Sequence, residues 1–250
     1  MTDAADAHTA VTSLKGKRVA VTGGTTGLGR AMAVLLASEG AKVFICGRDE
    51  QHLADALARI REIGEGDGVA VDLADTDGVQ RFFAAADGYL GGLDVAVINA
   101  AIGAGALSDT EEDALRYAIA TDFTAYLLSA HAAAKRMDAR GDIVLIGSMS
   151  AHVLGGGSTI YAGIKYGVQG FGAALRRELG PKGVRVSVVE PGLTGSDMIP
   201  KSPEEQRAAI GREEMMRAED IAVSVHYVLT QPNRVVVQQL TIAPRAVSEE

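Results

Sequence analysis

Arg18-Val19-Ala20-Val21-Thr22-Gly23-Gly24-Thr25-Thr26-Gly27-Leu28-Gly29 is a short apolar run that breaks into a glycine turn, with a helical pattern from Leu28 to Ser38 behind it. Strand, turn and helix in that order make the first half of a βαβ unit. Glycines in such a turn permit a tight reversal. They also bring a phosphate close to backbone N–H groups and let the helix pack near the strand. A glycine cluster alone is common in turns, and its place after the first strand is what points to a nucleotide.

The same alternation runs outward from this stretch. Strands are predicted at Arg18–Thr22, Lys42–Cys46, Gly68–Val71, Asp94–Asn99, Asp142–Gly147, Val184–Val189 and Val235–Ile242. Helices are predicted at Leu28–Ser38, Glu50–Ile63, Thr76–Tyr89, Thr110–Arg136, Thr159–Gly180 and Ala218–Leu229. Right-handed crossovers between such elements give an α/β, doubly wound, seven-stranded and mainly parallel sheet with helices on both faces. Its ligand site lies beyond the carboxyl ends of the strands. One domain over residues 15–250 is expected, after a flexible tail over 1–14. Pro191–Glu204, rich in Gly, Ser and Pro, reads as a mobile loop on the substrate side.

The 250 residues are 47% hydrophobic and carry a formal net charge of −8, enough apolar surface for a full core and no general attraction to nucleic acid or anionic membrane. A small-molecule substrate is the expected partner. Cys46 stands alone and cannot form an internal disulfide, which fits a reducing, cytoplasmic setting. Met1–Thr12 lacks the basic start and apolar centre of a signal peptide, and no run of ~18 apolar residues predicts a membrane span. His8, His52, His131 and His226 show no metal-ligand spacing, so no metal is expected.

The second strand ends in Phe44-Ile45-Cys46-Gly47-Arg48-Asp49. Gly47 stands where an acid would bind the ribose 2′-hydroxyl of NAD, and the Arg48 guanidinium is suited to a 2′-phosphate, favouring NADP(H) over NAD(H). In the competing reading Arg48 is a solvated helix-start residue and Asp49 takes the ribose, which favours NAD(H). Asp72 is placed to meet the adenine edge, and Asn99 to meet the adenine ribose or the sheet backbone. Each is also a common turn residue.

Ser148 follows the apolar run Ile143–Ile146, and Tyr161-Ala162-Gly163-Ile164-Lys165 opens a long helical pattern. Tyr161 and Lys165 share one helix face. A phenol of pKa ~10 is a poor base near neutrality, and a neighbouring ammonium brings it into range. Tyr161 then exchanges a proton with a carbonyl or alcohol oxygen, Ser148 hydrogen-bonds that oxygen, and Lys165 also holds the nicotinamide ribose. His152 is a candidate substrate contact or a bystander. Leu154–Gly157 is a substrate wall or a flexible spacer, and Met198, Met215 and Met216 are lid or gap-filling core.

These residues resemble the short-chain dehydrogenase/reductase family, through Thr22–Gly29, Asp72, Asn99-Ala100, Ser148, Tyr161, Lys165 and Pro191-Gly192 in family order. The resemblance covers roughly Lys17 to Ile242. It implies that Gly23, Thr25, Thr26, Gly27, Leu28 and Gly29 hold the dinucleotide with Arg48, Asp72, Leu73, Asn99, Ala100, Tyr161 and Lys165. It also implies that Ile164 or its neighbours support the nicotinamide side, and that Pro191, Gly192, Leu193, Thr194 and Ser196 close over carboxamide and phosphates. Helix pairing into a homodimer or homotetramer is implied as well.

Three departures from the family pattern stand out. Ile98-Asn99-Ala100-Ala101 replaces the usual Asn-Asn-Ala-Gly. Asp122 stands where many members place an asparagine that positions a water against the lysine, which suggests a proton relay with an altered pH profile. The Val235–Arg245 tail lacks the usual glycine-rich ending and is similar to a branch of NADP-dependent carbonyl and hydroxy-acid oxidoreductases. The functional expectation is hydride transfer between NADP(H) and a ketone or secondary alcohol. The competing expectations are a cofactor-sensing protein with little turnover and an imine reductase using the same site.

Overall fold

A strand covered by helices on both faces must be apolar throughout, and the runs around Val19, Ile45, Val97, Leu145 and Val188 meet that condition. In the computed structural model, which describes residues 11–154 and 156–246, they form one seven-stranded sheet. The strands are β1 (Arg18–Val21), β2 (Lys42–Gly47), β3 (Glu65–Ala70), β4 (Val95–Ile98), β5 (Gly141–Ile146), β6 (Val184–Pro191) and β7 (Gln239–Ile242). Their order is β3-β2-β1-β4-β5-β6-β7, and every pairing is parallel.

The helices are α1 (Gly27–Ser38), α2 (Glu50–Arg61), α3 (Gly78–Leu90), α4 (Glu112–Ile119), α5 (Ala125–Ala134), α6 (Thr159–Leu179), α7 (Pro203–Gly211) and α8 (Ala218–Thr230). Alternate strand residues face opposite ways. Val19 and Val21 therefore pack with Met32, Leu36 and Val225 on one side, while Ala20 packs with Phe44, Phe82 and Tyr126 on the other. Winding reverses between β1 and β4, whose ends are level because Val21 pairs with both Ile45 and Val97. The crevice at that reversal is the binding position of such a sheet.

Five helices fall within two residues of their expected ends, and the differences elsewhere have physical causes. β3 begins at Glu65 rather than Gly68, because pairing of Lys42 with Glu65 satisfies the backbone whatever the side chains. β7 is only Gln239–Ile242, the part that reaches Val188–Pro191 of β6, so Val235–Gln238 lies outside it. The helix expected over Thr110–Arg136 is α4 and α5 joined by a π-helical turn at Ala120–Thr124. The segment expected as one loop from Pro191 is pinned by a bridge between Thr194 and Met216, and α7 begins inside it at Pro203.

The tail expected over 1–14 lies outside the described residues up to residue 10. Beyond it, Leu14 is buried in the core and Thr12 N donates to Thr230 O at 2.8 Å, so these residues belong to the packed domain. No helix among the described residues is long and apolar enough to cross a membrane.

Candidate active site

The glycine turn is held by backbone contacts. A Cβ on Gly29 would lie 1.9 Å from Gly23 O, so only glycine lets α1 start this close to β1. Behind the turn, Asn99 Nδ2 donates to Thr22 O and Gly23 O at 3.1 Å, and Thr22 Oγ1 accepts from Asn99 N at 2.8 Å and Ala100 N at 3.1 Å. Asn99 therefore spends its side chain on the turn. Thr26 precedes α1 in extended conformation without a side-chain cap, which leaves first-turn N–H groups directed at the cleft.

At the far end of the cleft, a Cβ on Gly47 would meet Thr25 Oγ1 at 2.3 Å. Thr25 thus excludes a carboxylate side chain from position 47. Asp49 caps α2 by accepting from His52 N at 2.8 Å, and this bond holds its carboxyl below the usual range. Arg48 lines the cleft, and its Nη1 donates to the Tyr117 hydroxyl at 2.6 Å. That hydroxyl in turn donates to Asp72 Oδ2 at 2.6 Å, while Asp72 Oδ1 accepts from Ala74 N at 2.9 Å. Asp72 is thus both a turn residue and the anchor of a chain ending in a guanidinium.

Ser148, Tyr161 and Lys165 line the other end of the same cleft of about 970 Å³. Ser148 caps the short 3₁₀ turn Met149–Ala151, its Oγ accepting from Ser150 N at 3.1 Å. Tyr161 sits in the first turn of α6 and Lys165 one turn on. The Lys165 Nζ lies 5.4 Å from the Tyr161 ring centroid and donates to Ile146 O at 3.1 Å and to the Tyr126 hydroxyl at 3.2 Å.

Burial pushes the Tyr161 phenol up to about 12; Asp122 adds to the rise and the Ser148 hydroxyl opposes it. Burial and the Asp122 carboxyl thus raise Tyr161, so the expected lowering of its pKa is not produced here. Burial pushes Lys165 itself down to about 8, against the pull of Asp122. Asp122, in the π-helical turn, is fully buried and raised to about 6 by desolvation. Its Oδ1 accepts from Ile102 N at 2.8 Å, and its Oδ2 has no hydrogen-bond partner among the described residues.

The remaining expected residues divide. Gly23, Thr25, Thr26, Gly27, Leu28, Leu73, Ala100, Pro191, Gly192, Leu193, Thr194 and Ser196 line the cleft, as does Met198. Met215 and Met216 are buried. His152 does not line the cleft: its Nε2 lies 2.9 Å from Glu190 Oε2 on β6 and within reach of Gln169 on α6 and Gln239 on β7. Of the glycine wall, Gly155 lies outside the described residues.

Four contributors carried no sequence signal of a role here: Tyr117, Tyr126 and the C-terminal Pro244 and Ala246 that line the cleft. Both tyrosines read as ordinary helix residues until the fold aims them.

Residues 17–207 match the model of the family described as short chain dehydrogenase. An uncharacterized oxidoreductase of Staphylococcus aureus (strain USA300) is 31% identical over 242 residues, covering 94% of this chain and 100% of that protein. Among solved structures, a dehydrogenase/reductase from Sinorhizobium meliloti 1021 matches with TM-score 0.84 and 29% identity, over 94% of this chain and 98% of the other. A short chain dehydrogenase from Burkholderia cenocepacia J2315 in complex with NADP matches with TM-score 0.84 and 30% identity, over 93% and 98%.

Proposed function

The chain belongs to the short-chain dehydrogenase family and is an NAD(P)-dependent oxidoreductase; from that premise we propose that it acts on NADP(H) and a ketone or secondary alcohol, with Tyr161 as the general acid/base. The observation that carries this reading is the continuity of one cleft from the glycine turn to Ser148, Tyr161 and Lys165.

The residues present fit a dinucleotide. Gly29 and the uncapped start of α1 offer a phosphate cradle. Thr25 excludes an acid at position 47, Asp49 is committed to its helix, and Arg48 stands ready as a 2′-phosphate partner. That combination, with the NADP complex of the Burkholderia cenocepacia relative, supports NADP(H) over NAD(H). When bound, the nicotinamide donates or accepts the hydride.

In reduction the substrate oxygen takes the phenolic proton of Tyr161 as the C=O becomes CH–OH, and Ser148 donates a hydrogen bond to that oxygen. Lys165 stabilises the phenolate left behind. A phenol raised to about 12 keeps its proton across the neutral range, which suits the donor role. Asp122, whose carboxyl burial raises to about 6, is proposed to shape the acid limb of turnover.

Exposed Ile119, Leu128 and Tyr166, on α4, α5 and α6, support pairing with a second copy into a homodimer or homotetramer, which sedimentation would measure. The single buried thiol Cys46 supports a reducing, cytoplasmic setting.

The test titrates NADPH and NADH by fluorescence, then screens ketones and alcohols at the nicotinamide absorbance band. Turnover that survives in Tyr161→Phe would overturn the assignment of the acid.

A further inference from the structure

A buried ammonium is stable only where acceptors replace its water. Lys165 is 1% exposed, and its Nζ finds two acceptors: Ile146 O at the end of β5, and the phenol oxygen of Tyr126 on α5. Tyr126 is also 1% exposed. Its O–H lies 3.0 Å from Ile146 O and 3.1 Å from Asn99 O, so its proton is committed to a main-chain carbonyl while its oxygen accepts from Lys165. The phenol also reaches, through Asn99, the residue whose side chain holds the glycine turn.

The groups facing Lys165 come from four elements: Tyr161 from its own helix, Tyr126 from α5, Asp122 from the π-helical turn and Ile146 O from β5. Asp122 forms no ion pair with Lys165 and acts on it through space. The π-helical turn shifts the phase of the helix that follows, and Tyr126, rather than the carboxylate, makes the direct bond.

We propose that Tyr126 is a positioning residue of the proton-transfer site, whose phenol oxygen fixes the Lys165 ammonium as a stationary charge and fills the polar position behind it. The proposal rests on the reading of Tyr161 as the acid/base. Burial holds the Tyr126 hydroxyl well above the ordinary phenol range, so it anchors Lys165 without titrating itself.

Tyr126→Phe removes one oxygen and keeps the ring. The titration of Lys165 is followed by NMR in protein carrying isotopically labelled lysine, with Lys165→Met assigning the signal. The pH profile of ketone reduction is recorded beside it. The expected result is that the Lys165 midpoint falls from about 8 by about one pH unit, the equivalent of one hydrogen bond to a charged group. The alkaline limb of kcat should follow it.

An unmoved Lys165 midpoint in a variant of native Tm overturns the proposal. Should Tyr126→Phe fail to fold, fluorotyrosine at position 126 weakens the same oxygen as an acceptor. It should move the midpoint in the same direction by less, and no movement again overturns the proposal. The NMR titration needs no turnover, so a wild-type protein inactive on every ketone and alcohol would defeat the functional reading without deciding this one.

Discussion

At the nucleotide end of the cleft the contacts are made by backbone: glycines at 23 and 29, the open first turn of α1 and main-chain carbonyls tied by Asn99. At the proton-transfer end they are made by side chains from separate elements, with Tyr161 and Lys165 from α6, Ser148 from the end of β5, Tyr126 from α5 and Asp122 from the π-helical turn. The phosphate cradle of the first end lies within one contiguous stretch, whereas the second end exists only after β4, β5 and two helices have packed together. The two ends should therefore separate under mutation, binding failing at one and proton transfer at the other.

The largest separation is expected from Tyr161→Phe. Turnover should fall by about a thousandfold with NADPH affinity retained, as steady-state kinetics and fluorescence titration would show.

Asp122→Asn tests how much of the proton-transfer end is bought with stability. A carboxyl raised from 3.8 to about 6 favours folding most below its unfolded value and loses that contribution as pH rises through about 6. Urea unfolding should therefore show the variant gaining on wild type by on the order of 3 kcal/mol between pH 4 and pH 7. The acid limb of turnover should move with it, and an unchanged profile would remove Asp122 from the proton site.

At the nucleotide end, Arg48→Ala should weaken NADPH by roughly 10- to 100-fold and leave NADH nearly unaffected, the loss of charge-assisted bonds to a 2′-phosphate. Tyr117→Phe should act in the same direction by less, since the guanidinium remains but loses its tether. The smallest effect is expected outside both ends, at the start of α7, where Ser202 and Glu205 form a reciprocal cap. Ser202→Ala should cost about 1 kcal/mol locally, read as faster amide exchange in α7 without change at the nucleotide end.

Legibility in the sequence follows the same division. α7 was legible in Ser202-Pro203-Glu204-Glu205, a cap, an N1 proline and a capping glutamate, but the neighbouring glycine-rich residues hid it inside a loop. β3 was legible only in its second half, because Glu65-Gly66-Asp67 has no strand preference and is ordered by pairing with β2. His152 read either as a substrate contact or as a bystander, and only the fold shows it turned toward Glu190.

By itself the sequence determined the βαβ alternation and the glycine turn, which rest on local spacing, and it singled out Ser148, Tyr161 and Lys165 as candidates through their joint placement in that alternation. Tertiary structure alone decided that Thr25 closes position 47 to an acid, that Tyr117 aims Arg48, and that Tyr126 rather than Asp122 bonds Lys165. Those outcomes depend on close approach between residues distant in the chain and on how much water burial removes from each charge, neither of which a local pattern carries.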